Sequence, residues 1–156
     1  MKVIQPKRKE HRCVQIWNAN PERVFPLLCP VRETDWVPDW NPKLVVSNSG
    51  VMELDCIFIT AEEQSDAIWI VSGYEPNRYV EMYTVIPGST VRKFSIRLDS
   101  EEENKTKASI FYEYTALTKG GEKVVNDFDK ANFAEFTNHF EIAINHYLIT
   151  GRKVEE

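Results

Sequence analysis

A chain of 156 residues with 42% apolar and 28% charged residues is about one domain's worth of globular protein, enough for one sizeable core. Its net charge of −5 argues against a nucleic-acid partner, because a phosphate backbone calls for a basic surface. No apolar run approaches the roughly 20 residues of a membrane helix, and the polar, basic stretch Met1 to Glu10 lacks a signal-peptide core. A cytoplasmic protein without a membrane span is expected.

After that tail, His11 to Trp17 reads as a first strand, with Val14 and Ile16 on one face and Cys13, Gln15 and Trp17 on the other. Asn20-Pro21-Glu22 is a helix start: an N-cap residue, proline in the first turn, then an acid. Pro26 and Pro30 keep that helix short, and Val31 to Trp36 reads as a second short helix ended by Pro38. Period-two patterning follows. Leu44–Ser47, Cys56–Thr60, Ala67–Gly73, Tyr79–Ile86, Val91–Leu98 and Lys107–Leu117 read as strands. The acidic stretch Asp99 to Asn104 reads as a solvated hairpin loop. Apolar spacings of three and four from Gly121 to Thr150 predict one long helix, with Gly151 at C′. Residues 11–151 are expected to form a single domain, with 152–156 as a charged tail.

One strand, two short helices, six strands and a long C-terminal helix is the order of the START-like superfamily, also called SRPBCC or polyketide-cyclase-like. The segment Cys29-Pro30-Val31-Arg32-Glu33-Thr34-Asp35-Trp36-Val37-Pro38-Asp39-Trp40 resembles a block of a prokaryotic SRPBCC subgroup to which no reaction is assigned. So do Ser49-Gly50-Val51, Ile68-Trp69-Ile70-Val71, Tyr114-Thr115-Ala116-Leu117 and the run from Asn145 to Gly151. The resemblance covers nearly the whole chain after the first ten residues. It implies an α+β helix-grip fold: a curved antiparallel sheet of about seven strands wrapped around the long helix. Such folds often enclose a hydrophobic cavity. They serve carriers, hormone receptors, cyclases, dioxygenase subunits and chaperone co-activators, so the fold alone does not assign a function.

Periodicity cannot separate a filled core from a hollow one. With the cavity that the resemblance implies, the predicted lining is Trp36, Trp40, Trp69, Met82, Thr84 and Phe94, together with Tyr112, Tyr114, Phe133, Phe136, His139 and Phe140. Trp36 and Trp40 are expected to flank its mouth. His139 follows Phe136 by three and is a candidate general base or donor; the bland alternative is a surface histidine. His139 and His146 are too far apart on one helix to share a metal. Glu33, Asp35 and Asp39 lie near the two tryptophans, where an acid has a raised pKa and moves protons, or simply caps a helix.

The three cysteines, Cys13, Cys29 and Cys56, form no CxxC pair and read as reduced, buried thiols. No hydrolase, kinase or metalloprotease motif is present, and no iron-ligand pattern. No catalytic residue is assigned, and neither metal nor cofactor is expected. Phe111, with Tyr79 and Tyr83, is expected on the convex face as a surface for a homodimer.

The leading expectation is a module that binds or carries a small hydrophobic or aromatic molecule. The alternatives are an aromatase/cyclase-like enzyme acting on a polyketide-type substrate, which works mainly by shaping its substrate, and a chaperone co-activator-like interaction domain.

Overall fold

The computed structural model describes residues 1–63 and 65–155. Seven strands form one antiparallel sheet: β1 (Arg8–Trp17), β2 (Leu44–Val46), β3 (Ile57–Ala61), β4 (Asp66–Glu75), β5 (Tyr79–Ile86), β6 (Thr90–Glu102) and β7 (Lys105–Ala116). Their order across the sheet is β1-β7-β6-β5-β4-β3-β2, so the first two strands in the chain form opposite edges. The helices are α1 (Pro21–Val24), α2 (Pro30–Glu33), α3 (Lys119–Asp127) and α4 (Lys130–Thr150), with a 3-10 turn at Phe25–Leu28. This is the helix-grip arrangement. Among the described residues no helix is long and apolar enough to cross a membrane.

Local chemistry accounts for these boundaries. Asn20 caps α1 by accepting from the Arg23 N–H at 3.1 Å, and Pro21 fills the first turn. Gly151, at φ 69°, closes α4 by donating its N–H to the Tyr147 carbonyl at 2.8 Å. The Arg23 guanidinium donates to the Leu148 carbonyl at 2.7 Å and ties the short helices to the end of α4.

Several boundaries differ from the sequence reading: α2, read as Val31 to Trp36, is Pro30–Glu33, and three changes are larger. β1 begins at Arg8, where pairing with Thr115 recruits residues that read as tail. The acidic hairpin is mostly strand: β6 runs to Glu102 and β7 starts at Lys105, with Asn104 at φ 58° making the turn. The C-terminal helical pattern is two helices. Asp129 accepts from the Asn132 N–H at 2.8 Å and starts α4 afresh, while Phe128 leaves the helix to stack on Tyr114 at 3.9 Å. The 21 residues of α4 therefore span about 31 Å rather than the roughly 45 Å of an unbroken helix.

The interior divides along α4. Its C-terminal half buries Ala143, Ile144 and Leu148 in one core cluster with Trp17, Leu28, Trp36, Ile96 and Leu98. Its N-terminal half faces the concave sheet with Phe136 and Phe140, and there the packing opens.

Phe111, Tyr79 and Tyr83 lie together on the convex face, out of phase with the cavity-facing residues. Arg12 lies over the Phe111 ring at 4.4 Å, Lys93 over Tyr83 at 5.6 Å and Arg97 over Tyr79 at 4.7 Å. Each ring is thus covered by a cation from a neighbouring strand. An apolar strip that includes Tyr83 continues to the β2 end of the sheet, where the rows Val46–Ile57–Ile70–Tyr83 and Leu44–Ile59–Ile68–Val85 run across four strands.

Candidate functional site

A cavity of about 260 Å³ lies between the concave sheet, the N-terminal half of α4 and the turn after α2. Glu33, Val37 and Trp40 reach it from the α2 region. Glu33 and Val37, four apart and joined by the Val37 N–H to the Glu33 carbonyl at 2.8 Å, lie on one side of that segment, and Trp40 joins them beyond the left-handed Asp39. The Asp39 backbone, at φ 55°, then turns the chain into the sheet. Opposite stand Phe58 and Trp69, stacked at 5.2 Å, with Trp40 edge-on to both at 6.1 and 6.2 Å. Met82, Thr84, Phe94, Tyr112 and Tyr114 complete the sheet wall, and Phe136 and Phe140 close it from α4. Phe136 is 52% exposed and marks the mouth together with exposed Glu62.

The walls present ring faces rather than indole N–H groups. Trp40 Nε1 donates to the Pro30 carbonyl at 2.7 Å, and Trp69 Nε1 to Thr60 Oγ1 at 2.9 Å. Each N–H is satisfied within the protein, leaving the π surface to the cavity.

Against that apolar wall stand a few polar groups. Thr84 is 1% exposed, and its hydroxyl has no partner among the described residues. An unmade hydrogen bond at that depth is costly unless something fills it. Glu33 is partly accessible, but its carboxyl has no hydrogen bond or ion pair among the described residues, and burial pushes it up to about 8. Burial also pushes the Tyr112 phenol well up, with the nearby Tyr114 and Glu33 adding to the effect. Tyr114 is raised by burial and held back by Arg92, whose guanidinium lies 4.5 Å over its ring. Arg92 is already engaged: it pairs with Glu62 at 3.7 Å and donates from Nε to Thr90 at 3.3 Å. At pH 7 the cavity therefore holds a neutral carboxyl, neutral hydroxyls and one internal ion pair.

Nine of the twelve side chains predicted to line the cavity meet there; Trp36, Phe133 and His139 do not. Trp36 is fully buried. It packs edge-on to Phe140 at 4.9 Å and donates to the Leu27 carbonyl at 2.9 Å, so of the two tryptophans only Trp40 lines the cavity. Phe133 lies behind the wall, edge-on to Tyr112 at 5.9 Å, stacked on His11 at 5.3 Å and edge-on to Phe128 at 5.8 Å. His139 is exposed, because the inward stripe of α4 runs through Phe133, Thr137, Ile144 and Leu148 and leaves residue 139 on the water side. Of the three acids near the tryptophans, Glu33 turns inward. Asp35 pairs with Arg32 at 2.8 Å, and Asp39 is exposed.

Val37, Phe58, Glu62 and Arg92 line the cavity and were missed from the sequence. A signal exists for three of them. Phe58, Thr60 and Glu62 share one strand phase, and Arg92 shares the phase of Phe94, Ile96 and Leu98. A charge in phase with an apolar strand face is a reason to look for a cavity there.

Other features are less enclosed or lack a ligand set. A groove of about 400 Å³ between β1 and α4 is lined by exposed Arg12, Val14 and Lys130. Cys29 and Cys56 are buried and Cys13 is half-buried, all three free. Among the described residues no group of three or more His, Cys, Asp or Glu is placed to hold a metal ion.

No protein-family model matches the sequence, and no curated protein does. Solved structures do match in fold. A Staphylococcus aureus protein of unknown function aligns over 94% of this chain and 97% of its own, at 12% identity and TM-score 0.69. The norcoclaurine synthase of Thalictrum flavum aligns over 93% of this chain and 88% of its own, at 9% identity and TM-score 0.66. CalU16 of Micromonospora echinospora covers 94% and 90%, at 14% identity and TM-score 0.56. At such identities the likeness establishes the fold alone, a helix-grip fold.

Proposed function

We propose that this START-like domain binds or carries a small hydrophobic, aromatic molecule in the cavity between its sheet and α4. One observation carries the reading: a space of about 260 Å³ lies between the sheet and α4, walled by aromatic faces, with a buried Thr84 hydroxyl and a Glu33 carboxyl unpartnered at its wall among the described residues. A chain that needed only stability would fill such a space and remove those polar groups. The size suits a ligand of one to three rings, entering past Phe136. Burial of its apolar surface supplies the affinity. Thr84, Tyr112, Tyr114 or Glu33 sets its orientation.

The test is a titration with N-phenylnaphthylamine, a neutral dye that brightens in apolar surroundings. Saturable brightening that Phe58→Ala or Met82→Lys alters supports the reading. Absence of any saturable signal, with the fold intact by circular dichroism, removes it.

A second reading is an enzyme of the cyclase kind, and Glu33 favours it. A carboxyl poised near 8 exchanges protons at working pH, and it stands beside Tyr112. The norcoclaurine synthase has been solved with a transition-state analogue on this same fold. A homodimer, if formed, would draw on the isoleucine strip of the convex face.

A further inference from the structure

We infer that the ligand of this cavity is an organic cation: a primary or secondary amine on an aromatic or bulky apolar body, its ammonium paired with Glu33. The inference rests on the cavity being the ligand site and names the ligand's charge.

The argument is a count of charges and donors on the wall. Three charged residues line the cavity: Glu33, Glu62 and Arg92. Arg92 is committed to Glu62 at 3.7 Å, to Thr90 and to the Tyr114 ring. The basic residue next to Glu33 in the chain, Arg32, points outward to Asp35 at 2.8 Å. No histidine lines the cavity. Glu33 is thus the one acid on the wall without a countercharge among the described residues. A cation would complete the set.

The rest of the wall agrees. Trp40, Trp69 and Phe58 form a mutually braced aromatic corner, whose negative ring faces favour an ammonium over a carboxylate. Both indole N–H groups there are spent on protein acceptors. The unpartnered Thr84 hydroxyl accepts a hydrogen bond as readily as it gives one. The site is therefore rich in acceptors and π faces, and its one cation is occupied. An anion would oppose ionisation of Glu33 and find no free countercharge, and a plain hydrocarbon would leave Glu33 and Thr84 unmatched.

Protonation follows from the same arrangement. In the empty cavity burial keeps Glu33 protonated near neutrality, with Tyr112 and Tyr114 on β7 and the Arg92–Glu62 pair as its titratable neighbours in the cavity. An arriving ammonium favours the ionised carboxylate, so binding near pH 7 releases a proton to solvent.

The experiment uses the full chain and three matched probes, namely naphthylmethylamine, ethylnaphthalene and acetylnaphthalene, titrated by calorimetry at about pH 6 and about pH 8.5. The inference predicts that the amine binds at least about tenfold more tightly than ethylnaphthalene. It also predicts that its affinity rises with pH, that binding near pH 7 releases protons, and that Glu33→Gln abolishes the advantage. Ethylnaphthalene binding to the variant serves as the check on folding. Tighter binding of acetylnaphthalene, weakening as pH rises and kept by Glu33→Gln, would overturn the inference: Glu33 would then be a neutral donor to a carbonyl. Equal binding of amine and hydrocarbon in both proteins would overturn it too, while leaving the cavity as the ligand site. Binding of none of the three removes the ligand site itself.

Discussion

Asn145 on α4 clamps Ile16 on β1: its Nδ2 donates to the Ile16 carbonyl at 3.0 Å, while its Oδ1 accepts from the Asn18 N–H at 2.8 Å. β1 is an edge strand, and an open edge invites pairing with another chain. Here one amide side chain satisfies backbone groups of that edge and holds the helix in the grip of the sheet. Asn145→Ala should cost about 1–3 kcal/mol in chemical denaturation and raise aggregation near the midpoint. Asn145→Asp keeps an acceptor for Asn18 but loses the donor to Ile16, so it should fall between. An unchanged midpoint in Asn145→Ala would show that the clamp is ornamental.

Glu33 makes stability fall as pH rises. Its folded carboxyl titrates at about 8 against an ordinary value of 4.5, so between those values the folded state holds a proton that the unfolded chain has lost. The cost is absent below about 4.5, grows across the window and is complete above about 8. The ideal limit is about 1.4 kcal/mol per unit, and water in the cavity reduces the total to a few kcal/mol. Urea midpoints measured at about pH 6 and about pH 9 should drop in the native chain and stay nearly level in Glu33→Gln. Parallel losses in both proteins would mean that Glu33 is well solvated.

Thr84→Val removes the unpartnered hydroxyl and keeps the shape. Without ligand the variant should be more stable by about 1 kcal/mol, because a buried oxygen lacking a partner is a cost. A thermal scan reads this directly. A drop in Tm would indicate that a bound water already serves the hydroxyl.

Two adjacent glycines separate close approach from helix propensity. A Cβ on Gly121 would overlap the Ser89 carbonyl, whereas one on Gly120 would meet nothing nearer than Thr118 Oγ1 at 3.7 Å. Gly121→Ala should therefore destabilise by about 1–3 kcal/mol. Gly120→Ala, inside α3, should be neutral or stabilising by up to about 1 kcal/mol. Equal effects in the two variants would contradict the packing of α3 on the β5–β6 turn.

The architecture was legible because it is written in periodicity and caps: Asn20-Pro21, the alternating strands and Gly151 all act locally. The break at Phe128-Asp129 was not, since the spacing of apolar residues runs through it and only the stacking of Phe128 on Tyr114 reveals the turn. In the site, strand phase was enough to bring Trp69, Met82, Thr84, Phe94, Tyr112 and Tyr114 to one face. Helix rotation was not enough: Phe136 and Phe140 face the cavity, while His139 between them points to water. Trp36 and Trp40 part company through the left-handed backbone of Asp39, which sequence alone does not disclose.

The most direct test of the ligand cavity uses the protein's four tryptophans, whose indole N–H signals are separate reporters in a proton–nitrogen correlation spectrum. Trp40 and Trp69 stand on the cavity wall, whereas Trp17 and Trp36 are fully buried behind Phe140 and bond to Gln15 and Leu27. Titration with N-phenylnaphthylamine should shift the Trp40 and Trp69 signals saturably and leave those of Trp17 and Trp36 in place. Shifts confined to Trp17 and Trp36, or no shift at any of the four while the dye binds, would put the ligand elsewhere and contradict the account.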